Sequence, residues 1–244
     1  VNALDGETVA KAYEELLKTA QVEIFCTGGS DFEEIKESMK AAFGGISRLP
    51  HPLTKYANIF PQEKESFNSE TMEVSQAKLV MAFRPTRVLS QREQNSMRVM
   101  SALFGGTPAS KLFLNVREKL SLCYYCSASY NPLTSLMVVD SGVENENAGE
   151  AQKQILVELD KIRHGDFTED EIDKTKKLMI NALNTIEDSP QSMEDWYLRG
   201  GIEGVTCSPT QRIQNILAVT AEEIAAIANL IITDGIFLLK GGNN

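Results

Sequence analysis

The sequence contains few of the residues on which metal centres, disulfide scaffolds and imidazole-based sites depend. Its 244 residues include only two histidines, His51 and His164, and four cysteines. Neither an H-x-x-E-H nor an H-E-x-x-H motif occurs, so the chain has no complete hydrolytic zinc centre of either type. Four cysteines are too few for a disulfide scaffold in a chain of this length. They predict isolated thiols in a reducing compartment, for which the cytoplasm is the default.

Basic charge and long apolar runs are also scarce. Twenty-four basic and 34 acidic residues give a formal net charge of −10 and a pI near 4.9. No overall basic field exists to hold a polyphosphate, which argues against nucleic acid and anionic membranes as partners. No apolar run approaches the roughly 20 residues of a membrane span, and residues 1–18 are amphipathic rather than a signal peptide. Because the sequence opens on Val1, we expect a processed chain or a piece of a longer one.

The first 45 residues predict a helix, a strand and a second helix. Apolar residues recur at helical spacing between Val9 and Leu17, and a β-rich run at 22–27 predicts a short buried strand. Ser30, with Glu33 three residues later, forms the capping-box pattern that begins a helix.

A Pro-rich stretch over residues 49–62 predicts a linker between two packed bodies, of which the first is residues 1–48. Beyond the linker, strand patterns and helix patterns occur in groups instead of alternating strictly, and residues 122–130 and 135–143 predict a hairpin. Such grouping predicts an α+β domain over residues 63–244, in which helices cover one face of a mainly antiparallel sheet.

The segment 105–111 resembles a phosphate-binding loop only superficially. That loop requires Gly immediately before the Lys, and here Ser110 precedes Lys111. A helix C-cap followed by a helix that begins with Pro accounts for the same residues, so no nucleotide site is predicted.

Cys123 and Cys126 form a C-x-x-C motif inside a predicted strand. A separation of three residues places two side chains on opposite faces of a regular strand. Zinc sites of this type also need a second pair of ligands at matching spacing. We therefore predict neither a redox nor a zinc role for the pair.

Arg117 and Tyr124 are the candidate site residues. Arg117 is expected in the last turns of a helix and Tyr124 near the start of the following strand, so both belong at one end of the sheet. There a guanidinium can bind a peptide carbonyl and a phenol can donate to an oxygen that acquires negative charge. The residues alone favour the alternative, a solvated Arg117, or one paired to Glu118, and a half-buried Tyr124.

Four ordered blocks of the sequence resemble the pitrilysin family of inverted zinc metallopeptidases, which includes insulysin and the mitochondrial processing peptidases. The blocks are residues 76–83, 104–125, 164–172 and Lys176. The second block carries Arg117 and Tyr124 at the spacing of the family motif, and the flanking blocks are most similar to bacterial members. The resemblance covers most of residues 5–240.

In that family the H-x-x-E-H motif lies in an N-terminal half, and the C-terminal half supplies an Arg and a Tyr that hold substrate over the zinc. The resemblance therefore implies that Arg117 and Tyr124 bind a substrate carbonyl and stabilise an oxyanion at a centre located elsewhere. It implies related α/β half-domains, with residues 1–48 as the tail of a preceding one. Zinc is implied for the complete enzyme, and none is expected on this chain.

Three interpretations remain open. The chain is the C-terminal, substrate-binding half of a zinc endopeptidase, inactive alone; a non-catalytic subunit or scaffold that encloses peptides beside an active partner; or a pure interaction module with no peptide site. The third predicts that Arg117 and Tyr124 point into separate environments. The first implies an N-terminal zinc-binding half and a peptide substrate as partners, and an H-x-x-E-H motif encoded upstream of Val1 would support it. A homodimer is compatible with any of them, since an isolated half could associate through the face that normally meets its partner.

Overall fold

A computed structural model describes residues 4–29, 31–52 and 65–242. In chain order the elements are α1 (Gly6–Thr19), α2 (Phe32–Gly44), β1 (Ser66–Met72), β2 (Ala77–Pro85), α3 (Gln91–Ser101), a first π-helix (Ala102–Gly106), a second π-helix (Leu112–Lys119), β3 (Cys123–Asn131), β4 (Leu136–Val143), a 3₁₀ turn (Asn145–Asn147), α4 (Ala148–Arg163), α5 (Glu169–Asn184), α6 (Pro190–Glu203), α7 (Pro209–Leu217), α8 (Ala221–Asn229) and β5 (Ile231–Gly241).

The strands form one sheet in the order β1-β5-β2-β4-β3. The pairs β5–β2, β2–β4 and β4–β3 are antiparallel, and only β1 and β5 run parallel. Alternate residues of β2 are buried, whereas the residues between them are more exposed, as expected for a strand with one covered face. The predicted α+β class, with its mainly antiparallel sheet, is confirmed.

The core lies between the sheet and the helices packed on its covered face. Phe83 of β2 meets Phe104 of the first π-helix edge to face, with ring centroids 6.4 Å apart. Helices α3, α4 and α8 contribute further buried apolar side chains: Met97, Met100, Ile155, Leu159, Ile224 and Ile227. This packing fixes the end of β3 and the helix before it, where the candidate residues lie.

Capping residues set where two of these helices begin. Ser90 and Thr168 each accept a hydrogen bond from a backbone N–H three residues later, and Glu93 and Glu171 accept one in return from the cap. Both are complete capping boxes, which satisfy backbone donors that a helix terminus leaves unpaired. Of the helices in the described ranges, none combines the length and apolar character needed to cross a bilayer.

The chain divides into two compact units. One contains residues 4–52, apart from Ser30, together with 187–206, and the other contains the described residues between 65 and 186 and from 207 onward. Helix α6 therefore groups with α1 and α2, whereas the sequence predicted one domain over 63–244. Within the first unit, Thr27 Oγ1 donates to Glu194 Oε1 at 3.2 Å.

The prediction of a strand at residues 22–27 is wrong, since this segment has no regular secondary structure. A strand requires a neighbour to pair with, and none of the strands in the described ranges belongs to this unit. Val22 and Ile24 are exposed as a result. Helix α2 begins as expected, but its cap is Asp31, which accepts from two backbone N–H groups, while the predicted cap Ser30 lies outside the described residues.

Candidate functional site

The second π-helix carries Arg117 to the end of the sheet. Its wide turns close with a bond from the Leu120 N–H to the Asn115 carbonyl at 3.1 Å, and the chain then reverses at Ser121, where φ is +52°. A π-helical segment places side chains differently from an α-helix of the same sequence and is frequent at functional sites. Here it directs Arg117 back toward the strand that follows.

Three contacts hold the Arg117 side chain. Its Nε donates to the Tyr124 carbonyl at 2.8 Å, and its Nη1 pairs with Glu118 Oε1 at 2.7 Å. The guanidinium also lies over the Phe113 ring, 4.6 Å from the centroid, a cation–π geometry. Arg117 is thus fixed by one face and one edge, with its side chain 36% exposed.

A β-bulge at the start of β3 turns Tyr124 outward. Cys123 is paired with Val143 and Tyr125 with Gly142, so Tyr124 is the extra residue between two consecutive partners on β4. Its side chain is 57% exposed, more than the half-buried alternative considered from the sequence. The Tyr124 hydroxyl donates to the carboxylate of Glu144, the residue that follows β4.

Arg117 and Tyr124 line the same open cleft, which encloses about 420 Å³. The other lining residues are Glu118, Ser121, Leu122, Cys123, Glu144 and Asn147. The cleft therefore holds a guanidinium and a phenol beside two carboxylates. A guanidinium can bind a carbonyl, and a phenolic O–H can donate to a developing oxyanion.

A buried carboxylate supports the π-helix from below. The Glu158 side chain is 3% exposed and accepts from Asn115 Nδ2 and from Lys161 Nζ, both at 2.7 Å. Because the charge is compensated by these donors, it stabilises the helix only two residues from Arg117. Sequence reasoning missed both Glu158 and Glu144, since their importance arises from contacts between distant parts of the chain.

Lys111 does not form a phosphate site. Its side chain is 8% exposed and its Nζ lies 2.9 Å from Glu171 Oε1, a contact that also lowers the pKa of Glu171 against the opposing effect of burial. A buried, paired ammonium has no position from which to bind a nucleotide phosphate. The geometry thus agrees with the sequence-based rejection of a P-loop.

The two histidines belong to different units of the chain. His51 belongs to the first unit, where its backbone N–H donates to the Thr19 carbonyl, and His164 ends α4 with its Nδ1 2.8 Å from the Asp160 carbonyl. Across residues 4–29, 31–52 and 65–242, no three His, Cys, Asp or Glu side chains gather as metal ligands. The described residues therefore do not fit zinc.

The prediction that the two cysteines of the C-x-x-C motif lie on opposite faces of the strand is wrong. Because of the bulge at Tyr124, Cys123 and Cys126 both point to the core, with 9% and 4% exposure. The alternation of side chains holds only for a regular strand. One extra residue at the bulge shifts the alternation by one, so two residues three positions apart lie on the same face.

Glu144→Gln is expected to lower the pKa of Tyr124 toward its ordinary value. The hydrogen bond to the Glu144 carboxylate, and then its charge, raise that pKa by favouring the protonated phenol. The variant should therefore form phenolate at lower pH, as a titration of ¹³C-labelled tyrosines by NMR would measure. Glu118→Gln removes a carboxylate that pairs with Arg117 and should leave the Tyr124 pKa unchanged; an equal effect of both variants would contradict the assigned contact.

The chain is similar to a family model and to several known proteins. The family model described as "Peptidase M16 inactive domain" matches residues 3–179. The chain is 27% identical over 242 residues to the "Probable inactive metalloprotease YmfF" of Bacillus subtilis, covering 99% of this chain and 56% of that protein. It is 25% identical to an "Uncharacterized zinc protease" of Rickettsia felis, covering 84% of this chain and 49% of the relative.

Solved structures extend the similarity to the fold. The crystal structure of a conserved protein from Enterococcus faecalis matches with a TM-score of 0.85 and 28% identity, over 100% of this chain and 57% of that one. The chain thus spans about half the length of the proteins it matches. The family model covers most of the chain and confirms the resemblance drawn from the sequence blocks. The chain belongs to the Peptidase M16 inactive domain family.

Proposed function

We propose that this chain is the C-terminal, substrate-binding half of a zinc-dependent endopeptidase of the pitrilysin type and is inactive alone. The observation that carries the proposal is the convergence of Arg117 and Tyr124 on one open cleft. The Arg117 side chain donates a hydrogen bond from Nε to the Tyr124 backbone carbonyl at 2.8 Å. This bond fixes the two residues relative to each other before any substrate binds. Such preorganisation is what oxyanion stabilisation requires.

The two side chains have different tasks in this proposal. The Nε and one Nη1 hydrogen bond hold Arg117 in place. Its Nη2 hydrogens are the donors that we assign to a peptide carbonyl. Tyr124 exchanges the Glu144 carboxylate for the oxygen of the scissile carbonyl as negative charge develops there. The substrate is an extended peptide, which can add to the edge of a sheet, and β3 is a terminal strand of this sheet.

The zinc of the complete enzyme belongs, in this proposal, to an N-terminal half. The described residues of this chain offer no set of three ligands, and relatives of about twice its length bear the name zinc protease. The metal would polarise a carbonyl and activate water there. The part of this chain is to orient the peptide and donate to its oxygen.

The first unit supports the existence of a preceding half. Helices α1 and α2 contain no buried residue, although both are amphipathic. Their apolar stripes leave large side chains exposed: Val9, Tyr13, Leu16, Phe32 and Met39. An apolar stripe of this kind packs against a neighbour in a folded domain. We therefore propose that residues 1–48 complete the half-domain that carries the zinc motif.

A second candidate is a non-catalytic subunit that encloses peptides. The name of the Bacillus subtilis relative, a probable inactive metalloprotease, favours it. In this case the cleft retains peptide binding, while no half of the same protein supplies a competent metal centre. For either role we propose a cytoplasmic location, because four cysteines without a disulfide are typical of a reducing compartment.

A peptidase assay of the complete gene product, with and without a chelator, separates the two functions. If the protein is the enzyme, the complete product cleaves peptides, the chelator abolishes the cleavage and added zinc restores it. Residues 1–244 alone are expected to show no cleavage, and metal analysis is expected to find no tightly held zinc per chain. The control is the complete product with the histidines of its own zinc motif replaced. Peptide binding without cleavage in the complete product would support the subunit instead, and stoichiometric zinc on residues 1–244 would contradict both.

A further inference from the structure

The bulge in β3 creates a pair of neighbouring thiols beneath the cleft. Cys123 is opposite Val143 and Cys126 is opposite Ser141, so the two cysteines face residues only two positions apart on β4. Two positions on a strand span about 6.6 to 6.8 Å between Cα atoms. Disulfides form across Cα separations of roughly 4.4 to 6.8 Å, so the register with β4 places the pair near the upper end of that range.

The two thiols differ in chemistry and access. Their mutual hydrogen bond, the nearby Ser141 hydroxyl and the Arg117 charge lower the pKa of Cys123, whereas the same bond and burial raise the pKa of Cys126. Cys123 also lines the open cleft, while Cys126 lies behind it in the core. The thiol that more readily becomes a thiolate therefore belongs to the residue that borders the cleft, separated from it by little covering.

We infer that Cys123 and Cys126 form an intramolecular disulfide when the chain meets a hydroperoxide. The Cys123 thiolate attacks the terminal peroxide oxygen, the O–O bond breaks, and the alkoxide leaves as an alcohol after taking a proton, which gives a sulfenic acid. Cys126 Sγ then attacks the sulfenyl sulfur, the S–O bond breaks, and the hydroxide leaves as water with the Cys126 proton. Two thiols are oxidised and one peroxide is reduced.

The disulfide would close a ring across the bulge that contains Tyr124. The Tyr124 backbone carbonyl accepts the hydrogen bond from Arg117 Nε, so the oxidation constrains the segment that connects the two cleft residues. The inference concerns thiol chemistry and stands independently of the peptidase role.

The test uses residues 1–244 with Cys26→Ser and Cys207→Ser, which leave only the pair. Hydrogen peroxide is added, unreacted thiols are alkylated with iodoacetamide, and the intact mass is measured before and after dithiothreitol. We expect a monomer lighter by two hydrogen atoms that has lost both alkylation sites and regains them on reduction. Adding Cys126→Ser should instead leave a sulfenic acid on Cys123 that dimedone traps.

Peptide mapping of the unaltered chain decides the question if a variant fails to fold. Cys26 is exposed there and serves as an internal reference for the peroxide dose. If Cys123 and Cys126 both remain alkylated at a dose that oxidises Cys26, the inference is wrong. A disulfide found only between two chains would overturn it equally.

Discussion

Under the proposed function, Tyr124→Phe in the complete protein is expected to lower kcat by about 10²- to 10³-fold with little change in KM, the cost of removing one oxyanion donor. The substitution deletes only the hydroxyl, whose partner in this structure is the Glu144 carboxylate. Because the side chain is 57% exposed, the ring contributes little to the core and the fold should be unaffected. Steady-state kinetics on a peptide substrate, with circular dichroism of the variant, measures both effects.

Tyr125→Phe is the matched control for this variant. Tyr125 is the next residue, but its hydroxyl donates to Asp140 at 3.2 Å and it does not line the cleft. The two variants lose the same atom from adjacent positions, so turnover should fall in one and persist in the other. Unchanged turnover in Tyr124→Phe, or equal losses in both, would refute the role assigned to the phenol.

Local sequence signals predicted most of the helices and the hairpin. The capping boxes at Ser90 and Thr168 succeed because every group that they need lies within one turn of the helix. The strand at 22–27 fails for the opposite reason. The β-rich sequence favours a strand, but a strand forms only beside another strand with which it can pair. The described part of the first unit contains no such strand.

The candidate residues could be named from the sequence, but the geometry of the cleft could not. The family resemblance, and not residue type and place alone, singles out Arg117 and Tyr124, whereas Glu144 is 20 residues from its partner Tyr124 and carries no local signal. The π-helix is equally hidden, because the same residues are compatible with an α-helix and only packing selects the wider turn.

One irregularity accounts for the two largest departures from the expected pattern. The extra residue in β3 exposes Tyr124 and, by shifting the register, brings Cys123 and Cys126 to one face. Strand periodicity contains no sign of a bulge, since the choice of which residue to leave unpaired depends on β4 and on the core beneath. The exposed phenol and the buried thiol pair are therefore consequences of the same backbone feature.

Gly105→Ala is expected to lower the free energy of unfolding of the second unit by about 1 to 3 kcal/mol, the usual cost of overpacking. A Cβ at Gly105 would lie 2.6 Å from the Ala128 backbone nitrogen and 2.9 Å from Leu112 Cδ1. The closest atom is backbone and cannot move aside by changing a rotamer. Since Ala128 belongs to β3 and Leu112 begins the second π-helix, the strain falls on the two elements that carry Tyr124 and Arg117.

Gly106→Ala provides the comparison, because it adds the same methyl group to the next residue. The nearest atom to its Cβ would be the Ser101 carbonyl oxygen at 3.4 Å, and the loss of glycine from the unfolded chain stabilises by up to about 1 kcal/mol. Urea unfolding followed by far-UV circular dichroism measures both variants, while fluorescence of the single tryptophan, Trp196 in α6, reports separately on the first unit. If Gly105→Ala proved as stable as Gly106→Ala, the first π-helix would not pack against β3 as closely as in this structure. This packing would then not be what holds Arg117 and Tyr124 in fixed positions.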